Sequence, residues 1–391
     1  MANGAAFSYE AGSLARRALL GRLIVNRNWA SVWLVCGAMG AVGCSSDDSS
    51  EDPSQATVAN QGTGGSTAMP ATPATTPAAM MPAAMMPPAT DTMAPGIAGV
   101  VAEGAVVHVI GEGFQGTEGP LGLRDGSLIF TETNANRLTH IALNDDLSTF
   151  LENTNGSNAL GFDPAGNIVS VQTTPGMTRV GVIYPAGSER VLTDNYDGKP
   201  YGRPNDLVVS TKGAIYFTEP GPNAPTDGST PPPPPLTPAV YYVPVGGAAA
   251  RIAEGIERPN GITLSRAEDT LYVNNTNGEY LLAFDVLPDG SVQNRRNFAA
   301  YDGVTRNADG TVASGADGLL IDSEGRLYVA TTTGVQVFSA DGQQLLGTIP
   351  ISRQPQNIAF AGPNKQTLYI VGRGAAYKVE MLASGFAGRA K

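Results

Sequence analysis

The chain has 391 residues, with 35 acidic against 24 basic side chains, a formal net charge of −11 and two cysteines. Such acidity excludes a phosphate-reading surface, which needs a basic face, so no nucleic-acid partner is expected. Two cysteines exclude a disulfide-stapled scaffold, and a chain of this length buries enough surface to need none.

The first 95 residues differ in character from the rest. Arg16, Arg17, Arg22 and Arg27 precede an apolar run over 30–43 that ends Ala41-Val42-Gly43 before Cys44. A basic segment, a short apolar core and small residues at the cut predict an export signal over residues 1–43, and the core is too short to span a bilayer comfortably. Arg16-Arg17-Ala-Leu-Leu also fits a weak twin-arginine signal. The residues before Cys44 match a bacterial lipobox, with Ala41 where Leu is usual, so Cys44 is the expected lipidation site. Cys36 leaves with the signal. Residues 44–95 are rich in Pro, Thr, Ala, Met and Ser, as in MPATPATTPAAMMPAAMMPPAT. A segment so poor in β-branched and aromatic residues cannot build a core, and its prolines favour extended backbone. It reads as a disordered tether. The expected product is a membrane-anchored lipoprotein of the bacterial periplasm or outer membrane, touching the membrane only through its anchor.

From about residue 115 the sequence repeats. Six copies share one pattern: a polar residue, an apolar run, a tight turn, and a second apolar run. They begin at Glu118 (EGPLGLRDGSLIFTE), Asn158 (NALGFDPAGNIVSV), Asn205 (NDLVVSTKGAIYFTE), Asn260 (NGITLSRAEDTLYVNN), Asp317 (DGLLIDSEGRLYVAT) and Asn357 (NIAFAGPNKQTLYIV). The turn lies 8 residues after the polar residue in five copies and 9 in the fourth. Further apolar runs follow each hairpin at 137–143, 180–184, 240–244, 280–286 and 335–339, as outer strands would. No long amphipathic helix is evident. Six four-stranded units in a ring predict an all-β, six-bladed β-propeller over 96–391. A proline-rich insertion, Pro220 to Pro238, falls in the connection after the second strand of the third copy, beside the channel mouth or on a dispensable surface.

Equal phase places the six polar residues at one end of the central channel. Glu118, Asn205, Asn260 and Asp317 supply two carboxylates and two amide oxygens, an all-oxygen set that suits a hard divalent cation. Ca2+ is the expected cofactor. Mg2+, Mn2+ and Zn2+ are the other cations to test, although zinc prefers N or S donors that this set lacks. Asn158 and Asn357 either stand behind these ligands or touch substrate, and Asn158 is taken as substrate-binding. His108 and His140 lie in strand-like runs, and no Gly-x-Ser-x-Gly elbow is present, so a Ser-His-Asp triad has no support. Arg295 and Arg296 fall in a loop-like stretch, DGSVQNRRN, and read as solvated surface.

Four segments carry a family resemblance: Thr117-Glu-Gly-Pro; Arg203-Pro-Asn-Asp-Leu with Ile215-Tyr-Phe-Thr-Glu-Pro; Arg258-Pro-Asn-Gly-Ile with Leu271-Tyr-Val; and Ala316-Asp-Gly-Leu with Gly325-Arg-Leu-Tyr-Val-Ala. Over about 112–380 the chain resembles the SMP-30/gluconolactonase family, the regucalcin-like, calcium-dependent six-bladed propellers, with diisopropylfluorophosphatase as a relative. The resemblance implies that Glu118, Asn205, Asn260 and Asp317 surround the metal, that Arg203 and Asn205 lie near substrate, and that lactone hydrolysis is the activity. Glu219 stands where the family often has Asp, and Asn275-Thr276 where it often has Asp-Thr. These departures and the insertion bear on the substrate rather than on the ligand set.

The expected function is a metal-dependent hydrolase opening sugar lactones or related cyclic esters, the metal polarising the carbonyl for attack by water. Asp317 is the favoured base and Glu118 the second candidate. Arg203 holds substrate oxygens with its planar fork. The alternative is a non-catalytic, calcium-stabilised propeller that binds a surface carbohydrate or protein. An esterase or organophosphate hydrolase using the same cation is a third reading.

Overall fold

The computed structural model describes residues 86–223 and 234–389. The export segment 1–43, Cys44 and the linker as far as residue 85 lie outside the described residues, as does the middle of the proline-rich insertion.

Strands form where the repeat places β-branched and aromatic runs, and the turns reverse the chain. Gly126, Gly166, Gly213 and Gly325 turn at φ of 88°, 86°, 89° and 85°, a left-handed conformation open to glycine at no steric cost. The fourth copy, one residue longer, turns at Glu268 with φ 60°, and the sixth through a 3-10 turn at Pro363–Lys365.

The result is a six-bladed β-propeller. Blade I is Thr117–Gly122, Leu128–Glu132, Arg137–Ile141 and Leu147–Glu152. Blade II is Ser157–Phe162, Ile168–Gln172, Arg179–Tyr184 and Arg190–Thr193. Blade III is Leu207–Val209, Ile215–Glu219, Ala239–Val243 and Ala250–Glu254. Blade IV is Pro259–Leu264, Thr270–Asn275, Tyr280–Val286 and Val292–Ala300. Arg295 and Arg296 therefore sit in the outer strand of blade IV, not in a loop, because Val292–Ala300 pairs with Tyr280–Val286; both side chains remain exposed. Blade V is Leu319–Ile321, Leu327–Thr331, Gly334–Phe338 and Leu345–Ile349.

Blade VI closes the ring. Its inner three strands, Asn357–Ala361, Thr367–Gly372 and Ala375–Glu380, come from the C-terminal end, and its fourth, Val106–Glu112, comes from the N-terminal side. A short strand, Thr92–Met93, adds to the outer edge by pairing with Val106 and Val107. The propeller therefore begins before residue 96, inside the segment read as tether. Asp91 accepts the Val109 N–H at 2.8 Å, and Ala94 is buried among Ile97, Val100 and Val107. Short-range composition favours the linker reading there, but the edge of blade VI gives those few residues a partner.

Both faces of the second strands are covered by neighbouring blades, so Leu128–Glu132, Ile168–Gln172, Ile215–Glu219 and Leu327–Thr331 are buried throughout. Each cluster in the core spans adjacent blades; one joins Val208, Tyr216 and Val240 of blade III to Ile262, Leu271 and Val273 of blade IV. The inner strands start on one face, where the polar residues stand, and the hairpin turns lie on the other. The C-terminal segment crosses the turn face. Gly385 bonds to the Lys365 carbonyl at 2.8 Å, Ser323 to that of Ser384 at 2.8 Å, and Arg389 to the carbonyls of Ser265 and Leu264.

Candidate active site

Each inner strand brings its polar residue to the channel by a local device. In blades I, II and IV the pairing with the second strand slips by a residue after Glu118, after Ser157 and after Pro259, so Glu118, Asn158 and Asn260 each sit in a bulge. A bulge re-aims the side chain beside it. In blades III and V, Asn205 and Asp317 stand just ahead of the strand, held by backbone bonds to Thr218 and Ala330 at 2.8 and 2.9 Å. The glycine after the polar residue has a steric cause: a Cβ on Gly119 would lie 2.1 Å from the Asn158 oxygen, and one on Gly261 2.1 Å from the Asp317 oxygen. Adjacent blades approach too closely there for any side chain.

The preceding blade fixes the backbone of the next residue in the ring. Thr131 donates to the Asn158 carbonyl at 2.8 Å, Thr218 to that of Asn260 at 2.8 Å, and Asn274 to that of Asp317 at 2.6 Å. Asn158 does the same for Asn205 at 2.9 Å. Further out, the last residue of a second strand caps the loop before the site. Glu132 accepts the Gln115 N–H, Glu219 that of Arg203, and Asn275 that of Arg258, at 2.9, 2.9 and 3.1 Å. Glu219 is thus a loop anchor, fully buried. Tyr201 packs edge-on against Phe217 and Tyr241, which holds the segment carrying Arg203 and Asn205 in place.

The six in-phase residues divide into two kinds. Asn158 is buried with its Nδ2 on the Asn205 carbonyl and Oδ1 (3.3 Å), while its own Oδ1 receives Thr133. Asn158 thus braces Asn205 through its Nδ2, while its Oδ1 takes only a 3.4 Å contact from Thr133, whose shorter bond goes to the Ser157 carbonyl at 2.9 Å. Asn357 likewise donates to Glu118 Oε2 at 3.2 Å, and Gln356 to Glu118 Oε1 at 3.3 Å. Glu118, Asn205, Asn260 and Asp317 remain as the candidate ligands.

Two of these carry oxygens that are shielded from solvent and lack a protein hydrogen-bond partner: Asn260 Oδ1 and Asp317 Oδ1. Asn260 gives its Nδ2 to Thr276 at 3.1 Å, so its carbonyl end is the free one. Burial, with the Glu118 carboxylate beside it, pushes the Asp317 carboxyl well above the usual carboxylate range, against the pull of Arg373 and Arg203. Orphaned buried oxygens and two repelling carboxylates are the features a hard cation relieves, so the residues fit a divalent ion. Among the described residues no three His, Cys, Asp or Glu side chains form a metal-binding group, which leaves two amides to complete any such set.

Three residues near the site were not singled out from sequence. Asp206 bridges blades III and IV, accepting the Leu207 and Ile262 N–H groups at 2.9 and 3.0 Å. Arg258 occupies the position in blade IV that Arg203 has in blade III, two residues before the asparagine, a signal readable from the repeat. Arg373, in the turn after Thr367–Gly372, reaches the site only through the fold. His108 and His140 lie in outer parts of blades VI and I, on Asp91 and near Ser148, away from this site. A cavity of about 530 Å³ lined by Ser265, Tyr272, Ile321 and Phe386 opens on the turn face and contains none of these groups.

The SMP-30/Gluconolactonase/LRE-like region matches residues 116–373. A gluconolactonase of Zymomonas mobilis is 29% identical over 286 residues, covering 68% of this chain and 78% of its own. A lactonohydrolase of Aspergillus oryzae is 26% identical over 207 residues, 49% of this chain and 47% of its own. Among solved structures, a gluconolactonase of Xanthomonas campestris superposes with a TM-score of 0.63 at 27% identity, over 76% of this chain and 99% of that one. A calcium-binding regucalcin of Agrobacterium tumefaciens shares the fold, with a TM-score of 0.59 at 17% identity over 72% and 95% of the two chains.

Proposed function

Because the chain belongs to the SMP-30/gluconolactonase/LRE-like family, we propose that its channel site hydrolyses lactones of sugar acids or related cyclic esters. The observation that carries this reading is the set Glu118, Asn205, Asn260 and Asp317, with the Asn260 and Asp317 oxygens unpartnered, in a chain similar to gluconolactonases.

These four residues would hold a divalent cation, Ca2+ first, with Mg2+, Mn2+ or Zn2+ as the alternatives. When bound, the cation supplies Lewis-acid polarisation of the lactone carbonyl and counter-charge for the oxyanion. The protein's own groups do the rest. Arg203 has no hydrogen bond to its guanidinium among the described residues, and its fork of donors is free to hold substrate oxygens. Asp317, or Glu118 beside it, takes a proton from the attacking water, the ring C–O bond breaks, and the leaving oxygen gains a proton to give the hydroxy acid. Asn158 and Asn357 keep Asn205 and Glu118 in place while this happens. Export through residues 1–43 and lipidation at Cys44 would present the enzyme on a membrane.

The test is hydrolysis of D-glucono-1,5-lactone and related aldonolactones by a protein beginning at residue 86, with each divalent cation, with chelator, and as Asp317→Ala. Turnover that requires metal and falls by at least 100-fold in the variant is expected. Metal binding with no turnover on any lactone or ester would favour the binding-module reading instead, and no metal binding would remove the site argument.

A further inference from the structure

The loop residue two positions before the site residue is Gly116, Gly156, Gly315 or Pro355 in four blades, but arginine in the adjacent blades III and IV. Arg203 and Arg258 are both followed by proline, and both have their backbone N–H capped by the end of the second strand. They therefore occupy equivalent places side by side, just outside Asn205 and Asn260. Arg258 gives its fork to neutral acceptors of the proline-rich insertion, Asn223 Oδ1 at 2.6 Å and the Pro222 carbonyl at 3.5 Å. Arg373 donates to Gln354 Oε1 at 3.1 Å, and its backbone is tied to Gln356, which contacts Glu118.

All three arginines are partly buried, and none pairs with a carboxylate among the described residues. Other buried or half-buried arginines do: Arg326 with Asp322, Arg353 with Glu112, Arg389 with Glu268. Guanidiniums removed from water without a counter-ion are costly unless a ligand supplies one. Three arginines balance Glu118, Asp317 and Asp206, so a divalent cation leaves the site positive; it stays positive with the buried Glu219 counted as charged, and reaches neutrality only when the exposed Glu257, on Asn275 at the rim, is added. A neutral lactone does not correct this.

We propose, resting on the lactonase reading, that the preferred substrate is a lactone bearing a second, anionic group, carboxylate or phosphate, clamped by Arg203 and Arg258 with Arg373 completing the positive rim. Arginine forks suit both anions, and a charge-assisted pair is the interaction that gives such a site its selectivity.

Two measurements on the metal-loaded protein from residue 86 test it. Calorimetric titration with D-gluconate, D-glucarate and 6-phosphogluconate should show at least one of the two acids with a second anionic group binding about 10- to 100-fold tighter than gluconate. Which one is tighter identifies carboxylate or phosphate. Arg258→Gln should bring them within a few-fold, Arg258→Lys should restore part of the difference, and Arg124→Gln, which removes the same charge from the exposed turn face, should leave it intact. In turnover, the ratio of kcat/KM for D-glucaro-1,4-lactone (or 6-phosphogluconolactone) to D-glucono-1,5-lactone should fall by a similar factor in Arg258→Gln. Equal affinity for all three acids in the wild-type protein, or a preference untouched by Arg258→Gln, overturns the proposal even if neutral lactones are hydrolysed. A preference for the second anionic group that depends on Arg258 upholds the arginine clamp even if no lactone is turned over, in which case the hydrolase reading, and with it the lactone as substrate, fails.

Discussion

Asp317→Asn should stabilise the metal-free protein and at the same time abolish most of the stabilisation that metal confers. The two effects have opposite signs, which few structural perturbations would imitate. Asp317 is half-buried beside Glu118 with its Oδ1 shielded from solvent, and its carboxyl is held well above the usual range by desolvation and by that neighbour. Two ligands of one calcium ion stand at most about 5 Å apart, where like charges repel by about 3 kcal/mol at an effective dielectric of about 20. Arg373 and Arg203 offset part of this, so a gain of about 2 kcal/mol is expected when the charge is removed and an amide able to donate to Glu118 replaces it. For a propeller of this size that is a rise of roughly 4 °C in Tm. Wild type in calcium at 100 times its Kd gains about 2.7 kcal/mol, or roughly 5 °C. Loss of one of two charged ligands should weaken binding by about 100-fold, leaving the variant a gain of about 0.4 kcal/mol at the same calcium concentration. Differential scanning calorimetry with chelator and with calcium reads both numbers. A variant that melts below wild type in chelator, or that keeps the full calcium shift, would refute the assignment of Asp317 as a charged ligand in a repelling pair.

The other expectations concern the frame around the site. Burial pushes the Glu219 carboxyl up to about 7, against the backbone N–H groups of Arg203 and Gly221 that it accepts. Its folded value lies above its unfolded one, so its contribution to stability is complete below about pH 4.5 and is lost as pH rises through about 7, by about 3 kcal/mol in all. Glu219→Gln should flatten that decline, and urea unfolding at pH 5 and 8 in saturating metal would show an unchanged slope if the reasoning is wrong. Asn158→Ala should cost about 2 to 3 kcal/mol and weaken metal binding through Asn205, whose carbonyl loses a buried donor. Calcium titration of that variant with wild-type affinity would contradict the bracing role. Starting the chain at residue 96 instead of 86 removes the Thr92–Met93 strand and the Asp91 contacts to Val109 and His108. A stability loss of about 2 kcal/mol is expected, and identical melting curves for the two proteins would show that the segment is dispensable.

Much of this was present in the linear sequence. The 8-residue interval from polar residue to turn fixed the hairpins, their glycines and the phase of all six side chains, because strand direction and turn geometry are local properties. The ring of six blades followed, and with it the expectation that Glu118, Asn205, Asn260 and Asp317 converge. What phase cannot express is which way an amide points. Asn158 and Asn205 are equivalent in the repeat and both are buried, yet Asn158 turns its Nδ2 onto the Asn205 carbonyl and Oδ1, in the bulge after Ser157. Arg258 was visible by its match to Arg203, whereas Arg373 and Asp206 acquire their place only when blades VI and IV close on blades I and III. The strand Val106–Glu112 becomes the outer strand of the last blade for the same reason. Such pairings join residues hundreds of positions apart, and only the closed ring, by burying both faces of every second strand, decides them.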